Sequence, residues 1–194
     1  MSGGMDSATL VSEACADGDN TVEAISFNYG QRHRKELLYA KEYCDSLRVK
    51  HDIVDISSIT PFIGGSALTD DIEVPDGHYT SPTMAITVVP NRNAIMLSIA
   101  FGIAVARNAS IVGAAMHAGD HAIYPDCRPE FVDSFNTMQQ AAVQGYGHTD
   151  LHLWTPYINK SKTDIARIGG FLGVDYGKTW SCYKGLEKHC GVCG

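Results

Sequence analysis

A chain of 194 residues, 44% hydrophobic and 19% charged, is long enough for one domain with a sizeable core and is too apolar for a disordered polymer. Its net charge of −7 rules out a broad basic footprint, so nonspecific binding to a nucleic-acid backbone is not expected. A local basic pocket remains compatible with that balance.

Residues 7–16 read as a first helix, and residues 22–27 as a short β run ending at Asn28-Tyr29-Gly30. Apolar positions Leu37, Ala40, Tyr43, Cys44 and Leu47 predict a helix over 32–47. Residues 51–56 alternate as a strand does, and 57–90 have no clear period and read as a long functional loop. Residues 93–107 are apolar on nearly every face, which predicts a buried helix, and 110–115 read as a strand. Pro129 suits the first position of a helix carrying Phe131, Phe135, Met138 and Ala142 on one face. Residues 151–154 read as a short strand. Ser161-Lys162-Thr163-Asp164 resembles a capping box, followed at helical spacing by Ile165, Ile168 and Leu172. The alternation predicts an α/β fold: an open, mostly parallel sheet with helices on both faces. The expected organisation is an α/β domain over 1–178 with a cysteine-bearing tail, 179–194, packed on it.

The longest apolar run, 94–106, is shorter than the roughly 20 residues a bilayer-crossing helix needs. No signal-peptide pattern opens the chain, so a cytoplasmic protein without a membrane partner is expected. Both ends read as incomplete: little precedes the first glycine turn, and the cysteine cluster stops at Gly194.

The strongest local signal is Ser2-Gly3-Gly4-Met5-Asp6-Ser7 at the opening of a helix. Two glycines let the backbone approach an anion and adopt positive φ. Their amides and the helix N-terminus point at negative oxygens. Ser2 and Ser7 add hydroxyl donors, and Asp6 is suited to hold Mg²⁺ or cap the helix. The lysine of a Gly-Lys-Ser/Thr P-loop is missing. Downstream, Arg32, His33, Arg34 and Lys35 crowd the first turn of a predicted helix. Cations there oppose the helix dipole, and either an anionic ligand or a solvated basic turn accounts for them. Arg92, Arg128 and Lys162 have the ordinary reading of surface ion-pair partners beside a functional one.

The six-residue string resembles the ATP pyrophosphatase (PP-loop) superfamily, whose members cleave ATP between the α- and β-phosphates. Tyr29-Gly30-Gln31-Arg32-His33, Pro90-Asn91-Arg92-Asn93, Tyr124-Pro125-Asp126-Cys127-Arg128, Thr155-Pro156, Ser161-Lys162 and the terminal cysteines follow in order. Together they resemble the 7-cyano-7-deazaguanine synthase (QueC) family over nearly the whole chain. Met116-His117-Ala118-Gly119-Asp120 departs from the commonest form of that family's preceding loop.

The resemblance implies an adenine-nucleotide α-hydrolase-like fold. It also implies an ATP-dependent ligase that converts 7-carboxy-7-deazaguanine and ammonia to the nitrile through adenylated intermediates, releasing AMP and pyrophosphate in queuosine or related deazapurine biosynthesis. It assigns Ser2, Gly3, Gly4, Met5, Asp6, Ser7, Asn28, Tyr29 and Arg32 to ATP, with Asp6 at Mg²⁺. Arg92 and Lys162 join Asp6 as catalytic candidates at the phosphates, and Tyr124, Asp126 and Arg128 face the deazaguanine.

Cys182, Cys190 and Cys193 are spaced C-x7-C-x2-C, and a Cys-Gly-x-Cys turn favours tetrahedral Zn²⁺. Three reduced thiols without metal are the alternative. In the resembling family a fourth cysteine comes three residues later. A homodimer is left open, as are two other functions: an ATP pyrophosphatase acting on tRNA, and a QueC-like modification module in a larger assembly. Salt-sensitive tRNA affinity would mark the first of these and a stable heteromeric partner the second.

Overall fold

The computed structural model describes residues 1–31, 34–63, 65–67, 69, 86, 88–182 and 187–190. Arg32, His33, Cys193 and most of the predicted loop 57–90 lie outside the described residues. The chain forms two compact units, one of residues 1–90 with 162–194 and one of residues 91–161.

The first unit holds α1 (Met5–Ala16), β1 (Glu23–Asn28), α2 (Lys35–Ser46), β2 (Lys50–Asp55) and α5 (Lys162–Phe171). β1 and β2 pair in parallel, from Glu23 opposite Lys50 to Asn28 opposite Asp55. A parallel pair needs a crossover, and α2 supplies it. Val11 of α1, Ala24 of β1, Cys44 of α2 and Val49 pack as one apolar cluster, with Met1, Cys15 and Val22 at its margin. Below this cluster β1 turns polar. The Ser26 hydroxyl, 1% exposed, lies 2.7 Å from His51 Nε2 on the paired strand. Burial pushes the His51 pKa below its ordinary value.

Helix α5 packs on α1 through a contact only glycine permits. Tyr176, just past α5, sets its hydroxyl 2.9 Å from Thr9 Oγ1 and donates to Ile165 O at 3.3 Å. A Cβ on Gly169 would lie 1.8 Å from that hydroxyl and 2.9 Å from Thr9 Oγ1.

The second unit holds α3 (Arg92–Ala106), β3 (Ile111–Gly113), α4 (Pro129–Ala142) and β4 (His152–Trp154). β3 and β4 are also parallel, with Ile111 opposite His152 and Gly113 opposite Trp154, and α4 is the crossover. The parallel α/β design expected from the sequence is present, and the described strands form two two-stranded ladders, one in each unit.

Two sequence expectations need correction here. Helix α3 is not buried all round: Leu97, Phe101 and Ala104 are buried, whereas Ser98 and Gly102 are exposed. A single stripe at i, i+4, i+7 meets its neighbour, where Phe101 packs edge-on to Phe135 of α4 at 5.7 Å. The buried stripe of α4 is Val132, Phe135 and Gln139, while Met138 is 48% exposed and Ala142 is exposed. Counting from Phe131 turned the predicted face one residue away from the real one. The Gln139 amide explains how a polar residue joins the stripe, since it donates to Ser98 Oγ at 3.4 Å. Among the described residues, no helix is long and apolar enough to cross a membrane.

The α1–α5 contact gives a direct test. Gly169→Ala should destabilise the protein by about 1–3 kcal/mol, the usual cost of forcing extra volume into a packed contact. Thermal unfolding should register a fall of roughly 2–4 °C per kcal/mol at this chain length. An unchanged midpoint would show that α5 does not rest on Thr9 and Tyr176 as described.

Candidate nucleotide site

Helix α1 begins immediately after the Ser2–Gly4 turn. Gly4 is its N-cap residue and has no side chain with which to cap the first-turn amides, so those amides suit an anion. Gly3 has φ +81°. A Cβ there would fall 2.3 Å from Glu36 O and 3.2 Å from Ala40 N, so the first turns of α2 form the back wall of the turn. The two serines brace the loop. Ser2 N donates to Ser7 Oγ at 3.1 Å, the two hydroxyls lie 3.0 Å apart, and Ser7 Oγ donates to Gly4 O at 3.1 Å. Asp6 sits in the first turn of α1 beside them.

The second loop follows β1. Asn28 Nδ2 donates to Asp55 Oδ2 at 2.7 Å, and Asn28 Oδ1 accepts from Gly30 N at 3.3 Å. Asp55 Oδ1 also takes the Ser57 hydroxyl at 2.6 Å and the Ser57 N–H at 2.9 Å. Those Ser57 bonds, with the Asn28 amide, hold the Asp55 carboxyl below the usual carboxylate range. Gln31 closes the turn: its Oε1 accepts from Tyr29 N at 2.9 Å, and its Nε2 donates to Phe27 O at 3.2 Å and to Glu36 Oε1 at 3.0 Å. The Thr60 hydroxyl donates to Tyr29 O. Asn28 and Tyr29 therefore lie where the sequence puts them, at the strand end, with the Asn28 amide engaged in shaping the turn. Beside them a cavity of about 700 Å³ is lined by Gly30, Ser57, Thr60, Pro61, Phe62, Gly65 and Thr69.

Glu36 links the two loops, with its carbonyl behind Gly3 and its carboxylate on Gln31. Sequence reasoning passed over it, because an acidic residue in a helix first turn looks like ordinary dipole compensation. Trp180 is a second such residue. Its backbone N–H donates to Gly3 O at 2.7 Å. Lys162, the first residue of α5, belongs to this unit too, as do Cys182, which is buried, and Cys190, which is half-buried.

The second unit carries Arg92, Tyr124, Asp126 and Arg128. Asp126 acts as an external cap for α3: Oδ2 accepts from Asn93 N at 2.9 Å and Oδ1 from Asn93 Nδ2 at 3.2 Å. This fixes the start of the helix whose first residue is Arg92, preceded by Asn91 in the left-handed region at φ 57°. Asn93 Nδ2 also donates to Cys127 Sγ at 3.0 Å. Burial, reinforced by Asp120 and Asp126 and opposed by Arg92, pushes the Cys127 thiol far above its ordinary pKa. Cys127 is thus a neutral structural thiol at physiological pH and a poor nucleophile. Arg128 Nε donates to His121 O at 2.8 Å, and Tyr124 is buried. In the divergent loop, His117 Nδ1 accepts from Gly119 N at 3.0 Å while Asp120 Oδ2 accepts from His117 N at 3.1 Å, a reciprocal cap.

The family described as "Queuosine biosynthesis protein QueC" matches residues 1–194. The chain belongs to the QueC family. It is 56% identical over 193 residues to a 7-cyano-7-deazaguanine synthase of Alteromonas mediterranea, covering 100% of this chain and 86% of that one. It is 54% identical over 193 residues to those of Brucella anthropi and Sinorhizobium fredii, covering 100% of this chain and 82% and 80% of theirs. Among solved structures, the fold is similar to the U34-tRNA thiolase NcsA from Methanococcus maripaludis with its [4Fe-4S] cluster, at a TM-score of 0.52 and 14% identity. That match covers 94% of this chain and 58% of the thiolase, and at such identity it shows a shared fold alone. The PP-loop α/β fold expected from Ser2–Ser7 is therefore present in this QueC family member.

Gly3→Ala tests the turn. Positive φ and the Glu36 carbonyl both reject a Cβ, so the variant should lose at least about 2 kcal/mol of stability or rebuild the turn. Thermal unfolding with circular dichroism measures it. Wild-type stability would contradict the close approach of α2.

Proposed function

We propose that this chain is a 7-cyano-7-deazaguanine synthase that uses ATP twice to turn the carboxylate of 7-carboxy-7-deazaguanine into a nitrile with ammonia. The observation that carries the proposal is the Gly3–Gly4 turn at the uncapped start of α1, in a chain more than half identical to synthases of that name. In the first half-reaction a carboxylate oxygen attacks the α-phosphorus, the bond to the β-phosphate bridging oxygen breaks, and pyrophosphate leaves. Ammonia then adds at the acyl carbon, AMP departs with the carboxylate oxygen, and a proton is lost to give the amide. In the second half-reaction the amide oxygen takes an adenylyl group from a second ATP. Loss of AMP and the remaining N–H protons leaves the nitrile.

The protein's task is to bring two anions together and to stabilise charge on the leaving pyrophosphate, which is positioning and electrostatics. In this reading the amides of Gly3, Gly4 and Met5, with the Ser2 and Ser7 hydroxyls, grip the β- and γ-phosphates. Asp6, in the same helical turn, is the candidate carboxylate for Mg²⁺, which when bound neutralises phosphate charge. Lys162 and Arg92 serve the α-phosphate, and Asn28 and Tyr29 shape the nucleotide pocket. Tyr124 and Arg128 face the deazaguanine, and Asp126 contributes by holding the helix start that presents Arg92. Arg32, outside the described residues, remains a proposed phosphate contact.

Cys182, Cys190 and Cys193 are proposed to hold a structural Zn²⁺ with a fourth ligand. The donor set suits the ion: a buried thiol at Cys182, a half-buried one at Cys190, and Cys193 outside the described residues. Among the described residues no three of His, Cys, Asp and Glu are gathered to hold a metal. Metal analysis settles the matter. One zinc per chain, reduced at least about tenfold in affinity by Cys190→Ser as for loss of a metal ligand, is the expected result. Zinc well below one per chain, or unchanged in the variant, contradicts it.

The reaction is tested by incubating the protein with 7-carboxy-7-deazaguanine, ATP, Mg²⁺ and ammonium, followed by mass spectrometry. The nitrile, AMP and pyrophosphate should accumulate, and a folded Asp6→Ala variant should lose roughly 100-fold or more in rate, as expected when a metal-positioning group is removed. ADP and orthophosphate as major products would place the protein in another reaction class.

A further inference from the structure

A pair of glycines is a hinge as well as a cradle. The peptide joining Gly3 to Gly4 is free of side chains on both sides, so it can rotate about the flanking bonds with little steric penalty. In a trans peptide the carbonyl oxygen and the next N–H point in opposite directions. Orientation therefore decides whether this peptide offers an anion its N–H or its oxygen. One presentation attracts a phosphate and the other repels it.

The Gly3 carbonyl is held. It accepts the Trp180 backbone N–H at 2.7 Å, across 177 positions of sequence. Gly4 N–H is left with only a long contact to Ser2 Oγ, at 3.4 Å, which a better acceptor would displace. Trp180 is itself fixed by its side chain, 4% exposed. Lys35 Nζ stands 4.9 Å from the ring centroid, Tyr39 packs at 5.4 Å and His189 at 4.4 Å. The indole N–H donates to Cys182 O at 2.9 Å. The indole thus connects the first turns of α2, the cysteine-bearing tail and the glycine turn within one unit.

We propose that Trp180 is a positioning residue that keeps the Gly3–Gly4 peptide turned so that Gly4 N–H, not Gly3 O, faces the pyrophosphate group of the nucleotide. The inference rests on the proposed role of this turn in binding pyrophosphate. Trp180 does not touch the phosphates in this account; its N–H sets the peptide and its indole holds the N–H in place. The tail thereby acts on the turn through one hydrogen bond, so the packing around the cysteines tunes nucleotide affinity without contributing a ligand to it.

The test measures binding of inorganic pyrophosphate with Mg²⁺ to the full chain by calorimetry, with ATP KM and kcat read in parallel. Trp180→Phe keeps the N–H and a ring in the clamp, and should stay within about threefold of wild type. Trp180→Ala keeps the N–H but releases the clamp, and should weaken pyrophosphate binding and raise the ATP KM by about tenfold, the scale of one charge-assisted hydrogen bond, with a smaller change in kcat. A general packing role would lower thermal stability without this split or its rescue by Phe. A folded Trp180→Ala that binds pyrophosphate within twofold of wild type overturns the proposal while leaving the functional reading intact. If Trp180→Ala does not fold, Tyr39→Ala takes its place. It removes one wall of the clamp and should weaken binding about threefold, and unchanged binding overturns the proposal. A wild-type chain that binds no pyrophosphate overturns both the proposal and the functional reading.

Discussion

The arrangement depends on a close approach at Gly3. Its Cα lies so near the first turns of α2 that a Cβ would sit 2.3 Å from the Glu36 carbonyl oxygen, and its φ of +81° is one that side-chain-bearing residues avoid. From that contact follow the tight turn, the start of α1 at Met5 and the direction of the helix amides. Glu36 carries the constraint onward to Gln31, and so to the loop after β1. A phosphate-binding turn is useful only if it keeps its shape when empty, because reorganisation at the moment of binding would be charged against transition-state stabilisation. Here the shape is set by backbone contacts from α2 and from Trp180, and by the serine pair within the turn.

Much of this architecture could be read from the sequence, for specific reasons. The Ser-Gly-Gly-x-Asp-Ser string declares both its turn and its helix, since glycine placement and amide direction are backbone properties. The parallel strands and their helical crossovers came through period and spacing. The observed helix α1 begins at Met5, two residues before the predicted start, because its first turn is written in polar loop residues rather than in an apolar stripe. Helix α4 was found but rotated: Phe131 and Met138 look like core residues, yet the face is decided by Val132, Phe135 and Gln139 against α3. Composition alone also could not say that α3 buries a single stripe.

The parts of the site that escaped sequence reasoning are those built from long-range backbone bonds. Nothing local marks Trp180 as a neighbour of Gly3, and nothing marks the Glu36 carbonyl as a wall. Asp126 was legible as a functional residue, but its two bonds to Asn93 show how it works: it caps α3 and holds Arg92 at the helix start. Asn28 is similar, with its amide spent on Asp55 and Gly30 to shape the turn. The net charge of −7 is consistent with a small-molecule enzyme whose anion binding is done by amides and a few basic side chains rather than by a basic surface.

The central claim is that the Ser2–Ser7 turn holds the β- and γ-phosphates together as a leaving group while the α-phosphorus is attacked. ATP analogues test it directly, because each blocks one bond. With the β,γ-methylene analogue, turnover of 7-carboxy-7-deazaguanine should continue, releasing AMP and methylenediphosphonate, whereas the α,β-methylene analogue should bind and give no product. Turnover with the α,β-methylene analogue, or a block by the β,γ-methylene one despite binding, would contradict the account.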